Sequence, residues 1–174
     1  MITAGKVLRI TKHGEDVLKK KTAPVEFGAI KKDLPRLLKD MWATMHAANG
    51  VGLAAPQIGL SLRLAVIDVK PEGKSEPLVL LNPEILSREG KVIEEEGCLS
   101  LPGLYVKTKR HSKVRVRALD EDGKPWEAVG TGLLARAFEH EVDHLDGKLF
   151  IEHQDLIGRL KVAALLKDLK KTWS

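Results

Sequence analysis

The densest group of potential ligands in the chain is His140-Glu141-Val142-Asp143-His144. Residues four apart on an α-helix share a face, so a helix here brings both imidazoles to one metal ion. At 3.6 residues per turn, Glu141 stands about 100° round the helix from His140. Its carboxylate then sits beside the ion without having to be a ligand, as a general base requires. The surrounding pattern is that of a two-faced helix. Leu133, Arg136, Ala137, His140 and His144 fall on one side, and Leu134, Phe138, Val142 and Leu145 on another. A purely solvated face more usually carries Lys and Glu.

Two imidazoles need a third donor. Peptidases of the H-E-x-x-H type take it from downstream, but here Phe150 stands where one such class has His, no Glu follows Glu152, and His153 comes three residues late. Upstream lies Cys98, in Glu95-Glu96-Gly97-Cys98-Leu99-Ser100. A thiolate is a strong ligand for zinc or ferrous iron. One Cys with two His leaves a fourth position for water, the pattern of a catalytic site. A lone cysteine is by default a small buried apolar residue, but the acids, the glycine and the Ser-Leu-Pro-Gly around this one suggest a shaped turn or strand end. A third group runs from Gly50 to Gly59. Its glycines permit close backbone approach, and Gln57 offers an amide donor. It lacks the G-K-[S/T] of a phosphate-binding loop.

The elements that must hold these groups follow from periodicity. Thr131 to Asp146 is a predicted helix, with Thr131 as its candidate cap and Gly147 as a left-handed exit. Ile30 to Ala48 places Leu34, Leu37, Leu38, Met41, Trp42 and Met45 at helical spacing, with Pro35 in a first turn. Residues 15–21 suggest a helical turn, and Ile157 to Lys171 a last helix. Leu62–Val69 and Leu78–Leu81 read as strands. So does 113–118, where Val114, Val116 and Ala118 alternate with Lys113, Arg115 and Arg117, before a turn at 120–123. Strands in the middle and helices at the ends predict an α+β fold. In it, mixed or antiparallel strands pack around a central helix carrying H-E-V-D-H, with a C-terminal helix beyond.

With 174 residues the chain is expected to be a single domain, 1–174, large enough for one core. Charged residues at 30% and apolar residues at 43% exclude a disordered chain. No run of about 18 apolar residues could span a membrane, and the opening lacks a signal peptide's apolar stretch. One cysteine cannot form an internal disulfide, which fits a reducing compartment. A net charge of +5 is a mild bias toward polyanions.

Three segments in order, GVGLAAPQ at 50–57, EGCLS at 96–100 and EHEVDH at 139–144, resemble the peptide deformylase motifs G-x-G-x-A-A-x-Q, E-G-C-x-S and Q-H-E-x-D-H. The resemblance spans nearly the whole chain, including the VLRI…KKKTAPV opening. Its one plain departure is Glu139, where the family usually has Gln; Arg136, three residues earlier, is the expected partner. The resemblance implies a metal-dependent hydrolase that removes the formyl group from N-formylmethionyl nascent polypeptides and releases formate. It implies one divalent ion, Fe2+ with Zn2+ or Ni2+ able to substitute, held by Cys98, His140 and His144. Hydroxide generated at that ion near neutral pH attacks the formyl carbon, with Glu141 as general base and acid. Gln57 and the Leu99 N–H bind the formyl oxygen. Val51, Leu133 and Ala137 line a methionine pocket with Arg136 and Arg110 near its rim, and Gly52 and Gly97 offer backbone hydrogen bonds to an extended substrate.

Glu96 and Asp143 are expected to orient ligand histidines. His13, His46, His111 and His153 read as surface or structural. The expected protein is a cytoplasmic monomer without membrane attachment whose basic last helix docks on the ribosome. Two other readings remain at this level: another metallo-peptidase or amidase on the same site, and an RNA-binding module using Lys19–Lys21, the 107–117 segment and Lys161, Lys167, Lys170 and Lys171. No RRM, KH or zinc-finger signature supports the latter.

Overall fold

A computed structural model describes residues 4–173; the ends of the expected unit, 1–3 and 174, lie outside the described residues. In chain order the elements are a 3-10 turn at Asp16–Lys19, helices α1 (Phe27–Ile30) and α2 (Leu34–Ala47), strands β1 (Gly52–Ala54), β2 (Leu64–Ile67), β3 (Leu78–Glu89), β4 (Val92–Gly97), β5 (Tyr105–Arg110), β6 (Lys113–Leu119) and β7 (Pro125–Thr131), and helices α3 (Gly132–Leu145) and α4 (Leu156–Leu169). Among the described residues the strands form a five-stranded sheet, ordered β1-β2-β3-β6-β7, and a β4-β5 ribbon. Every pairing in them is antiparallel. The α+β expectation holds, with antiparallel pairing in place of a mixed sheet.

The five-stranded sheet is covered on both faces. On one face Ala135, Phe138 and Leu145 of α3 pack with Ala65, Ile67, Val114 and Val116. On the other, Leu34, Leu38, Met41 and Met45 of α2 pack with Leu64, Val66, Val79 and Leu81. Successive strand side chains point to opposite faces, so β2 must be apolar throughout, and its sequence is Leu-Ala-Val-Ile. A third cluster joins Leu101 and Leu104, just after Cys98, to Phe150 and to Val162 and Leu166 of α4.

Several boundaries differ from expectation for local reasons. The predicted 30–48 helix shortens to α2, Leu34–Ala47, with Pro35 in its first turn, while Ile30 ends the separate short α1. The strand expected at 62–69 shortens to Leu64–Ile67, while that at 78–81 runs on to Glu89. It passes Pro83 by irregular register between Leu81 and Glu84, with Asn82 at φ 52°. A bulge is where a strand tolerates proline. Thr131 makes no side-chain capping bond. Gly147 does close α3 in the left-handed region, at φ 72°. β1, β4, β5 and β7 form where no strand is expected.

Candidate active site

Helix α3 is fixed by its apolar side, and its other side carries the chemistry. Phe138 is fully buried against the sheet. With that side held, His140 and His144 project together, and their Nε2 atoms lie 3.1 Å apart. Cys98 arrives from the end of β4, with Sγ 3.3 Å from His144 Nε2. One ligand atom from each of the three residues lies within 4.8 Å of the others. A single tetrahedral ion with bonds of about 2.0–2.3 Å spaces its donors by roughly 3.3–3.6 Å. The three donors therefore fit one divalent ion, and their chemistry, a thiolate with two imidazoles, suits zinc or ferrous iron.

The neighbouring groups set the orientation and charge of these donors. His140 Nδ1 lies 2.5 Å from Glu96 Oε1, which directs the ring's Nε2 toward Cys98 and His144. Burial raises the Cys98 thiol, but the charges and hydrogen bonds of His144 and His140 outweigh it and bring it down to about 5. Burial likewise raises Glu96, yet His140 and Arg110 hold it at about 2. The thiolate and imidazoles compete for positive charge, which a proton or a metal ion can supply.

Glu141 is buried, and burial raises its carboxyl above the usual range despite the nearby imidazoles. Its Oε2 has no hydrogen-bond partner among the described residues, nor has His144 Nδ1. Gly52 explains how the carboxylate fits: any Cβ there would strike Glu141 Oε1. At Gly97 a Cβ would come 2.5 Å from the Tyr105 ring. Gln57 is oriented by its own turn. The Ala54 N–H donates to Oε1 at 2.9 Å, so the Nε2 amide faces Ser100 Oγ at 3.2 Å and Cys98 Sγ at 3.5 Å.

A cavity of about 630 Å3 opens over these groups. Of the residues expected to form the site, Val51, Gly52, Gln57, Gly97, Cys98, Leu99, Leu133, Arg136, Ala137, His140 and Glu141 line it. His144 lies buried behind them. Val51 and Leu133 are 40% and 39% exposed, as cavity walls rather than core.

Arg110 is a correction. It is not at the rim but buried beneath the ligands, 2.7 Å from both Glu96 and Asp143. Its alternating position on β5 turns it inward, toward two carboxylates that need a cation. The Arg136–Glu139 pair is also absent. Arg136 bonds Glu94 across the cavity edge at 2.7 Å. Glu139 instead accepts from Arg88 Nε at 3.2 Å and the His111 N–H at 2.9 Å, with His111 Nδ1 at 2.7 Å. His111 and His153, read as surface or structural, both have carboxylate partners. Ser100 and Phe150 were not anticipated here: Ser100 braces Gln57, and the Phe150 ring stacks on His140 at 6.0 Å. Position 100 falls inside the E-G-C-x-S pattern, which is the one signal that pointed to it.

Soft donors converging on a cavity, beside a buried carboxylate with a free oxygen, are the makings of a metal-dependent hydrolase. Comparison with known proteins narrows the class. The family model for polypeptide deformylase matches residues 7–159. A peptide deformylase of Thermodesulfovibrio yellowstonii is 48% identical over 165 residues, covering 94% of this chain and 97% of its own. The crystal structure of a peptide deformylase from Legionella pneumophila superposes with a TM-score of 0.87 at 45% identity, covering 95% of this chain and 96% of that one. A Met-Ala-Ser-bound class I type b peptide deformylase from Acinetobacter baumannii gives 0.81 at 39% identity, over 85% and 98% of the two chains. The chain belongs to the polypeptide deformylase family, metal-dependent enzymes that remove an N-formyl group.

Proposed function

We propose that this chain hydrolyses the formyl group from N-formylmethionyl polypeptides, with Cys98, His140 and His144 holding one divalent ion and Glu141 moving the proton. The observation that carries the reading is the buried, unpartnered Glu141 Oε2 beside the three converging donors. When bound, the ion supplies Lewis acidity that acidifies water and polarises a carbonyl. Glu141 takes a proton from water at Oε2 and returns it to the leaving amine, a role suited to a carboxyl raised above its usual range. The Gln57 amide and the Leu99 N–H take the developing oxyanion; a donor of this kind is worth about 10²–10³ in rate.

The methionine side chain occupies the wall formed by Val51, Leu133 and Ala137, with Arg136 at its edge. Gly52 and Gly97 offer the backbone of two strand edges to an extended peptide. The Met-Ala-Ser bound to the Acinetobacter relative has the sequence that deformylation of formyl-Met-Ala-Ser leaves. The thiolate and imidazoles suit both zinc and ferrous iron; Fe2+ is the ion the family resemblance implies, with Zn2+ or Ni2+ able to replace it. We further propose that 1–174 acts as one catalytic unit, as a monomer in the reducing cytoplasm, and meets nascent chains through α4. That helix exposes Leu156, Ile157, Leu160 and Leu165 beside Lys161 and Lys167. Among the described residues no helix is long and apolar enough to cross a membrane.

Formate release decides the central reading. Formyl-Met-Ala-Ser is expected to give formate and Met-Ala-Ser, while unformylated Met-Ala-Ser stays intact. Cleavage of internal peptide bonds without formate release would overturn it.

A further inference from the structure

A line of charged groups runs from a ligand to the protein surface. Glu96 Oε1 meets His140 Nδ1 at 2.5 Å. Arg110 Nε and Nη2 donate to Glu96 at 3.0 and 2.7 Å, and Arg110 Nη1 donates to Asp143 Oδ2 at 2.7 Å. His153 Nε2 closes the line, 2.7 Å from the same Asp143 oxygen and 3.2 Å from Arg110 Nη1. Four elements contribute: β4, β5, α3 and the 3-10 turn Phe150–His153. Side-chain exposure climbs along it, from 3% at Glu96 and Arg110 to 19% at Asp143 and 36% at His153.

One guanidinium here serves two carboxylates, Glu96 through Nε and Nη2 and Asp143 through Nη1. Its orientation is therefore fixed from both ends, and Glu96 is the group that fixes the His140 ring. A second donor to Asp143 helps hold that carboxylate, and with it the guanidinium, in place. His153 is placed to be that donor: its Nε2 and Arg110 Nη1 converge on one oxygen, so His153 carries the N–H there. Asp143 is half-buried, and without one of its two donors its carboxylate is free to shift, taking the Arg110 guanidinium bonded to it along.

We propose that His153 is a positioning residue for the metal centre, acting through Asp143, Arg110 and Glu96 on the orientation and basicity of His140. This rests on the reading of Cys98, His140 and His144 as the ligands. No spacing rule links position 153 to position 140; the packing of β4, β5, α3 and the 3-10 turn brings them into one network.

The test uses the full chain loaded with Zn2+ and challenged with a chromogenic chelator, together with the visible spectrum of the Co2+-substituted protein. Groups that orient a ligand are worth roughly 10–100-fold in metal affinity. His153→Ala is expected to lose zinc about 10-fold more readily and to shift the Co2+ bands. His153→Gln keeps an N–H donor and is expected to restore both toward wild type. Zinc retention and Co2+ bands unchanged in His153→Ala would overturn the proposal, as would equal loss in both variants, which marks a merely structural contact. Cys98→Ala separates the layers. If it loses zinc while His153→Ala does not, this inference alone falls. If the wild-type chain holds no zinc or cobalt, the reading of the ligands falls with it.

Discussion

Helices α3 and α4 both have 14 residues, and they bury opposite things. α3 takes Glu139, Glu141 and His144 out of water together with Ala135, Phe138 and Leu145. α4 buries only Val162 and Leu166 and leaves Leu156, Ile157, Leu160 and Leu165 in solvent. Burying a polar group is costly unless a partner satisfies it. Glu139 meets that demand with Arg88 and His111, whereas Glu141 keeps one oxygen free. The contrast shows what the sheet contact contributes. A helix pinned along its whole apolar side can hold an unsatisfied carboxylate in place, while a helix attached at two positions can only present a surface.

Breaking the polar side of α3 is expected to have the largest effect. Glu141→Gln should lower turnover of formyl-Met-Ala by about 10²–10⁴, the usual worth of a positioned acid or base. Metal content, measured on the same preparation, should not change. Breaking the apolar side should instead cost stability. Phe138→Ala is expected to lower unfolding free energy by about 3–5 kcal/mol in denaturant titration, the range for deleting a buried aromatic.

The α4 end should show weaker, pH-dependent effects. His13, near Lys170 just beyond α4, has its pKa lowered by burial and then by the charges of Lys170 and Lys19. The folded protein thus binds a proton there less readily than the unfolded chain does. That group's contribution is complete above the unfolded value of about 6.5 and declines as pH falls through it. His13→Gln should flatten the stability profile between about pH 5 and 7, and a thermal-melt series in that range would show it. Smallest of all, Leu160→Ala should alter stability by no more than about 0.5 kcal/mol, since its side chain is exposed. Ribosome co-sedimentation of the same variant should weaken if α4 is the docking surface; unchanged binding would count against that role.

The legibility of the sequence follows the same division. α3 and its two imidazoles could be read because helical period and ligand spacing coincide at positions 140 and 144. Cys98 could be read as a donor because its neighbours do not look like core. β4 could not, because its one buried position is Glu96 rather than an apolar residue. Glu96 faces Arg110 and His140, so strand alternation is hidden where charge is buried for the site. β5 hides for the same reason, with Thr108 and Arg110 as its buried residues. The partners of Glu139 come from 51 and 28 residues away, and no local pattern announces them. Arg110 escapes for similar reasons: resemblance suggests a rim, while its two carboxylate partners, Glu96 and Asp143, lie on separate elements.

The most direct test of the account is the metal content of the anaerobically purified protein and of Cys98→Ala. One divalent ion per chain in the wild type, absent from Cys98→Ala although the variant remains folded, is the predicted result. An ion retained at full stoichiometry without that sulfur would contradict the three-donor site on which the proposed hydrolysis depends.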